Sequence, residues 1–241
     1  MASLSARGHE ERGASIASSV QGPWVYDRWV QRPAQDRSER TFFRFLDAAE
    51  GLLGSRHWHE VSVQEIVREA DASVGSFYNR FNDKMALLHC LDDRLGQECE
   101  LTATALLAEF KAAPVLINDA PGIVISLLMR LCSERRGVIR ALDLARKMST
   151  ADAFVGLGPR FERAMQAIGD MLSKRHPDLS RFDAETISHG LTETFWLARE
   201  NLLYGKSEKS DAVLHQSLFR HFEASLTELG SAQAVGQKRA D

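Results

Sequence analysis

The sequence predicts an all-α protein of about nine helices. Apolar residues recur three or four positions apart almost throughout the chain, for example at Phe42, Phe45 and Ala49 and again at Leu88 and Leu91. This spacing places them on one face of a helix, whereas no stretch alternates polar and apolar residues for long enough to form a strand. Both observations favour a fold in which helices pack against helices.

Each predicted helix is bounded by residues that start or stop helices. Gly54 ends the first helix. Ser62, with Glu65 three residues later, forms a capping box at the start of the second. Asp83 is expected to cap a long helix that ends near Pro114. The later helices are predicted at residues 121–133, 135–148, 152–175, 183–204 and 211–229.

Composition and charge exclude several classes of protein. The chain has 241 residues and a formal net charge of −3, so it does not carry basic charge over its whole surface. Its three cysteines are too few and wrongly spaced for a disulfide framework or a zinc site. No run reaches the roughly 18 apolar residues of a membrane span, and the N-terminal stretch lacks the apolar region of an export signal. We therefore expect a cytoplasmic protein with no membrane partner.

Candidate catalytic and metal sites are weak. No Ser/His/Asp set, glycine-rich phosphate loop or paired carboxylates stand out, so we predict neither an enzyme nor a cofactor. His57 and His59 beside Glu60 lack a third ligand nearby in the sequence, so a solvated loop is favoured over a metal site. The run Asp92-Asp93-Arg94 is predicted to be a solvated helix face or an intrahelical pair. The isolated cysteines are expected to be buried free thiols.

Two short predicted helices in a row carry the functional signal. They cover residues 63–70 and 74–81, and Asp71–Ser73 form a tight connection between them. Two short helices joined by a three- or four-residue turn are the geometry of a helix-turn-helix, whose second helix lies in the major groove of DNA. The inner face of the second helix is predicted to consist of Val74, Phe77 and Phe81.

The outer face of this second helix has the chemistry that DNA requires. Gly75 removes bulk where the helix would approach the duplex. Lys84 begins the next helix, where its ammonium and the helix N-terminus can face one phosphate. We expect Lys84 and Tyr78 to bind phosphates. The candidates for base edges are Ser76, Asn79 and Arg80.

The string Ser73-Val-Gly-Ser-Phe-Tyr-Asn-Arg-Phe81, followed by Lys84, resembles the DNA-binding domain of TetR-type transcriptional regulators. The resemblance covers residues 41–88. It implies a sequence-specific DNA-binding regulator, namely a dimeric repressor that a small-molecule ligand releases from a palindromic operator. The DNA-binding residues that it implies are Ser62, Val74, Gly75, Ser76, Tyr78, Asn79, Arg80 and Lys84.

Two features depart from the family's pattern. Asp71 stands where the family has its turn glycine, so we expect a positive φ there, which Asp tolerates better than most side chains. In addition, residues 38–90 carry more acidic than basic side chains. We expect Arg44, Arg80 and Lys84 to flank the reading helix and to supply the local positive charge.

The resemblance also divides the chain. It predicts an N-terminal extension at 1–37, disordered or a short helix, a helix-turn-helix domain at 38–90 with its motif at 62–81, a helical effector-binding and dimerisation domain at 91–229, and a tail at 230–241. Helices 183–204 and 211–229 are expected to form the dimer interface, because they carry more apolar residues than one helix face needs. These residues are Leu191, Phe195, Trp196, Leu203, Val213, Leu214, Leu218, Phe222 and Leu226.

An alternative remains for the function. The chain could be a helical protein-binding or scaffold module that keeps the three-helix head and has no operator. Such a docking surface would more often expose Leu, Met or Trp, whereas Gly75, Ser76, Asn79, Arg80 and Lys84 suit a polyanion. No motif identifies a residue that binds an effector.

Overall fold

The computed structural model describes residues 36–148, 156–205 and 210–237, and within these ranges the side chains from residue 39 to residue 230. This part of the chain contains nine α-helices and no strand, which confirms the predicted all-α class. The helices are α1 (Asp36–Leu53), α2 (Val63–Glu69), α3 (Val74–Tyr78), α4 (Lys84–Ala112), α5 (Ala120–Glu134), α6 (Arg136–Met148), α7 (Leu157–Arg175), α8 (Ala184–Arg199) and α9 (Asp211–Gln237). Short 3₁₀ segments cover Trp58–Glu60 and Pro114–Asp119, and a π-helical turn covers Glu200–Tyr204.

Some helix ends differ from the predicted ones. α1 already includes Asp36 and Arg37, and residues 1–35 of the predicted extension 1–37 lie outside the described residues. α3 ends at Tyr78 because Asn79 is its C-cap, with the Asn79 N–H bonded to the Gly75 carbonyl. α9 continues to Gln237, so much of the predicted tail 230–241 is helical.

The chain separates into two compact units. The first unit consists of the residues up to Thr102 together with Ala141–Arg160. The second unit consists of Ala103–Arg140 together with the residues from Phe161 onward. The first unit contains residues 39–90, which are called the reading head below. This head is formed by α1, α2, α3 and the first turns of α4.

The reading head has an aromatic core. Phe42, Phe45, Phe77 and Phe81 are all at most 1% exposed. The Phe42 and Phe81 rings stack with their centroids 5.4 Å apart, and Phe45 contacts Phe77 edge to face at 5.4 Å. Because these rings come from α1, from α3 and from the segment after α3, they fix the short helix α3 against the longer α1.

Asp92 on α4 is a buried carboxylate, which corrects the predicted solvated face. It accepts hydrogen bonds from the N–H groups of Gly156, at 2.6 Å, and Leu157, at 3.3 Å. Arg146 of α6 donates to the same carboxylate at 3.0 Å. One side chain on α4 therefore binds the last turn of α6 and the start of α7. The prediction failed because these partners lie 54 to 65 residues away in the sequence.

The two residues after Asp92 also pair with distant partners. Asp93 lies 2.7 Å from Arg160 of α7, and burial raises the pKa of this carboxyl although Arg160 opposes that shift. Arg94 lies 2.6 Å from Asp47 and 3.7 Å from Glu50, both on α1. The middle of α4 is thus fastened by ion pairs to α7 and to α1.

Two glycines allow the backbone at residue 156 to approach α4 closely. A Cβ at Gly96 would overlap the Gly156 carbonyl oxygen, and a Cβ at Gly156 would lie 2.6 Å from the Asp92 carbonyl carbon. This close approach is what brings the Gly156 N–H within reach of the Asp92 side chain.

Helices α5, α8 and α9 pack together in the second unit. Most apolar residues of α8 and α9 are buried by this packing; for example, Phe195 is 3% exposed and Phe222 is 1% exposed. The sequence predicted that α8 and α9 have more apolar residues than their own packing needs, and the structure reduces this surplus to a few exposed side chains. Trp196 and Val213 are still exposed, at 50% and 52%.

One described segment, Pro114–Glu134, is long and apolar enough by length and composition to cross a membrane, with a mean hydropathy of 1.6. Core helices of soluble proteins pass the same test, and Val124 and Ile125 on its α5 part are at most 1% exposed. The three cysteines are buried thiols that form no disulfide, as predicted.

Candidate nucleic-acid interface

The first helix of the helix-turn-helix, α2, begins at a complete cap. Ser62 Oγ accepts a hydrogen bond from the Glu65 N–H at 3.2 Å, and the Glu65 carboxylate accepts one from the Ser62 N–H at 2.9 Å. This confirms the predicted capping box. Arg56 lies 2.5 Å from the same carboxylate, and the hydrogen bonds from Arg56 and Ser62 lower the pKa of Glu65 to about 2. The Ser62 hydroxyl is therefore engaged within its own cap, and its contact with DNA stays a prediction.

A tight turn joins α2 to α3. Asp71 has a φ of 45°, which confirms the positive φ expected from its place at the turn glycine. The Asp71 N–H bonds to the Arg68 carbonyl at 3.1 Å, and the Ala72 N–H bonds to the Val67 carbonyl at 3.0 Å. These are the two hydrogen bonds of a Schellman motif, which ends a helix at a residue of left-handed conformation. The chain enters α3 through this turn without a glycine.

Arg44 of α1 contacts this turn. Its guanidinium donates to the carbonyl oxygens of Ala70 and Asp71 and lies 3.3 Å from the Asp71 carboxylate. The carboxylate itself is fully exposed. The sequence predicted that Arg44 flanks the reading helix. In the structure its guanidinium binds the turn that precedes that helix.

The reading helix α3 is capped by Ser73, whose Oγ accepts a hydrogen bond from the Ser76 N–H at 3.1 Å. Phe77 faces the core and is fully buried, as predicted. Val74 was predicted on the same inner face, and this is wrong, because Val74 is 45% exposed. Val74 is the first residue of α3, and the part of this helix that packs on α1 begins after it, so the Val74 side chain points outward.

The outer face of α3 is open to solvent. A Cβ at Gly75 would meet no atom within 4 Å, so nothing in the described part of the protein covers this position. Tyr78 packs edge to face on Phe77 and is nevertheless 54% exposed. Asn79 is also exposed, at the C-terminal end of the helix. Val74, Gly75, Tyr78 and Asn79 thus form one accessible surface, called the reading surface below.

Arg80 and Ser76 interact with each other. The Arg80 guanidinium donates to the Ser76 carbonyl and to Ser76 Oγ, both at 2.8 Å. Burial lowers the pKa of Arg80, but an arginine stays charged at any ordinary pH. Both residues were predicted as separate readers of base edges, whereas the structure brings them together as a pair. Their contacts with DNA stay predictions.

Lys84 has specific partners within the reading head. Its ammonium donates to the carbonyl oxygens of Trp58 and Val61, both at 2.7 Å, and lies 4.3 Å from the centre of the Trp58 ring. Burial lowers its pKa. The ammonium therefore ties the start of α4 to the segment before α2, and two of its three donors are used there. Its contact with a phosphate stays a prediction for the remaining donor.

Sequence reasoning missed the structural roles of Arg56 and Trp58. Trp58 is 6% exposed, while the neighbouring histidines are exposed and their rings stack at 5.7 Å. A single tryptophan inside a polar segment was a usable signal for a buried anchor. Within the described ranges, no group of three His, Cys, Asp or Glu side chains could hold a metal ion.

Comparisons with known proteins agree with this geometry. Residues 45–91 match the family model described as "Bacterial regulatory proteins, tetR family". A comparison with curated protein sequences finds no match.

Several solved structures share the fold. A TetR transcriptional regulator from Rhodococcus sp. RHA1 superposes with a TM-score of 0.53 at 18% identity, covering 79% of this chain and 98% of that one. A putative TetR-family regulator from Mesorhizobium loti MAFF303099 gives a TM-score of 0.51 at 22% identity, covering 80% and 98%. A transcriptional regulator from Aquifex aeolicus VF5 gives 0.51 at 20% identity, covering 76% and 98%. At 18–22% sequence identity, these structures show that the chain shares their fold and no more.

Proposed function

We propose, on the premise that residues 45–91 match the tetR family of bacterial regulatory proteins, that the chain is a dimeric transcriptional repressor of this family. It binds a palindromic operator through the reading head. A small-molecule effector bound by the helical domain at 91–229 releases it from the DNA. The protein acts in the cytoplasm and is not an enzyme.

The observation that carries this proposal is the reading surface. Three residues of α3 and its C-cap are exposed or open: Val74, Gly75, Tyr78 and Asn79. At the same time, four phenylalanines hold the inner face of this short helix in place. A rigid helix with a narrow, partly polar outer face fits a major groove, where base edges offer donors, acceptors and thymine methyl groups.

The residues of the head divide into two groups by position. Val74 is exposed and apolar, so we assign it to the methyl group of a thymine; Asn79 is assigned to an adenine, with which an amide can form two hydrogen bonds. Tyr78 is assigned to a phosphate. Ser76 and Arg80, which bond to each other, are assigned to base edges as a pair. Ser62 and Lys84 have partners within the head and are assigned to phosphates at its edge.

We assign the dimer interface to residues 183–229. Trp196 of α8 and Val213 of α9 are half exposed. The Arg199 guanidinium lies over the Trp196 ring, 4.8 Å from its centre. Aromatic residues and arginine are enriched at protein interfaces. In a two-fold dimer the two reading heads would contact half-sites about 34–36 Å apart, or a multiple of that distance.

Selection of duplex fragments from a random DNA pool tests this function. The wild-type protein should enrich one palindromic sequence. The Asn79→Ala variant should relax the preference at one base pair in each half-site, at a cost of about 1–3 kcal/mol. Gln166→Ala, an exposed change on α7 in the second unit, serves as the matched control and should select the wild-type sequence.

Two results would contradict the proposal. If no sequence is enriched, the head does not read DNA, and the protein is the helical binding or scaffold module. If light scattering at micromolar concentration shows a monomer for the wild-type protein, the palindrome loses its basis. Trp196→Glu should yield that monomer while the protein stays folded.

A further inference from the structure

The turn of the helix-turn-helix places an acidic side chain where it would meet DNA. Asp71 lies two residues before Ser73, the N-cap of the reading helix, and its carboxylate is fully exposed. Two residues of extended chain span at most about 7 Å. A phosphate near the start of α3 would therefore lie within the screening distance of about 8–10 Å, and the carboxylate would repel it.

Arg44 is positioned to cancel this charge. Its guanidinium lies 3.3 Å from the Asp71 carboxylate and donates to the carbonyl oxygens of Ala70 and Asp71. These carbonyls are at the C-terminal end of α2, where the helix dipole also favours a cation. The Schellman hydrogen bonds use the carbonyls of Val67 and Arg68, so Arg44 supplies the donors that the turn itself does not.

We propose that Arg44 is a positioning residue of the reading head, which neutralises Asp71 and holds the left-handed turn so that α3 can approach DNA. Binding to DNA depends on Arg44 because residue 71 is an aspartate. A glycine at this turn would bring neither the charge nor the backbone strain. This inference rests on the proposed DNA-binding function.

A double-mutant cycle separates this role from a direct contact between Arg44 and a phosphate. Arg44→Gln removes the charge and keeps an amide donor, while Asp71→Asn removes the charge and keeps a residue type that accepts positive φ. The affinity of the two single variants, the double variant and the wild-type protein is measured on the selected operator duplex at two salt concentrations. Arg68→Gln, an exposed arginine change in the last turn of α2, is the matched control.

The expected result is strong coupling between the two positions. Arg44→Gln lowers the affinity about tenfold, since each subunit then presents an uncompensated carboxylate to the DNA. In the Asp71→Asn background the same change costs no more than about twofold. Arg68→Gln has the same effect in both backgrounds. Arg44→Lys, which keeps a cation that can reach the carboxylate, retains most of the affinity.

Equal losses from Arg44→Gln in both backgrounds would overturn the inference, because Arg44 would then act on a phosphate directly. Wild-type affinity of Arg44→Gln would overturn it as well. Failure of the wild-type protein to select any duplex is a different outcome, which refutes the proposed function. In that case the melting temperatures of the same four proteins decide whether Arg44 and Asp71 are coupled. A smaller drop in melting temperature from Arg44→Gln in the Asp71→Asn background than in the wild-type background supports the coupling. Equal drops in the two backgrounds refute it.

Discussion

The reading head and the α8–α9 pair differ in how much of each can be predicted from residues close together in the sequence. In the head, Ser62 and Glu65 cap each other across three residues, and Ser73 caps α3 by accepting a hydrogen bond from the Ser76 N–H. In the second unit, a Cβ at Gly190 of α8 would meet the Phe222 ring of α9 at 3.3 Å, which is a contact between residues more than thirty positions apart. Local rules therefore predict the helix starts of the head, although its ring contacts join residues as distant as Phe42 and Phe81. The same rules cannot tell which apolar residues of α8 and α9 face their own chain.

The largest expected effect tests that difference directly. Phe222→Asp should unfold the second unit, because truncation of a buried phenylalanine alone costs about 3–5 kcal/mol and a buried charge costs more. Trp196→Asp changes an aromatic residue that is half exposed, and should alter the free energy of unfolding of the monomer by less than about 1 kcal/mol. Thermal unfolding followed by circular dichroism measures both. Equal destabilisation would mean that Trp196 is also part of the core.

The second effect concerns the buried carboxylate of α4. Asp92→Ala leaves the Gly156 and Leu157 N–H groups without their acceptor and Arg146 without a buried partner, so we expect a loss of about 3 kcal/mol or more. Asp47→Ala, which removes an exposed partner of Arg94, should cost less than about 1 kcal/mol. Chemical denaturation of both variants measures the difference. Similar values for the two would show that burial of Asp92 contributes nothing.

A third effect concerns the one apolar reader assigned to the reading surface. Replacing thymine by deoxyuridine at each position of the selected operator removes single methyl groups. At the position that Val74 contacts, the wild-type protein should lose about fourfold in affinity when one half-site is altered, which corresponds to one methyl group of about 0.8 kcal/mol. Val74→Ala should be insensitive to that replacement. If no thymine position distinguishes the two proteins, Val74 does not read a methyl group.

The smallest effect tests the local cap of α2. The pKa of Glu65 lies at about 2 in the folded protein, below its ordinary value of 4.5. The ionised carboxylate therefore stabilises the fold above about pH 4.5, and this contribution is lost as the pH falls towards 2. The melting temperature of the wild-type protein should exceed that of Glu65→Gln at pH 6, and the difference should shrink towards pH 2. Glu69→Gln, on the same helix, should show no such convergence.

Much of the fold was predictable from the sequence because its signals are local. The capping box at Ser62 and the burial of Phe77 and Phe81 each follow from residues within one or two helical turns. The positive φ of Asp71 was predicted from its place at the turn glycine of the family that the motif resembles. The helix order follows from the 3.6-residue period of apolar positions. These features specify backbone geometry, which a short stretch of sequence determines.

The remainder depends on contacts between distant segments. Val74 was assigned to the inner face by periodicity, although the first turn of so short a helix does not repeat for long enough to fix its orientation. Asp92 was read as solvated because its partners at residues 146, 156 and 157 come from other helices. The engagement of Lys84 with Trp58 could not be foreseen for the same reason.

Gly96 and Gly156 have a consequence for how this protein can evolve. Any side chain at either position would force α4 away from the backbone at residue 156, and it would stretch the hydrogen bonds that Asp92 makes there. Neither substitution can be rescued by a change at the other position, because the nearest atom that each added Cβ meets belongs to the backbone, although a Cβ at Gly96 would also meet the Arg160 side chain. In a library of random variants these two sites should therefore be depleted of every substitution, alanine included, while exposed positions further along α4, such as Leu101 and Thr104, should accept many substitutions.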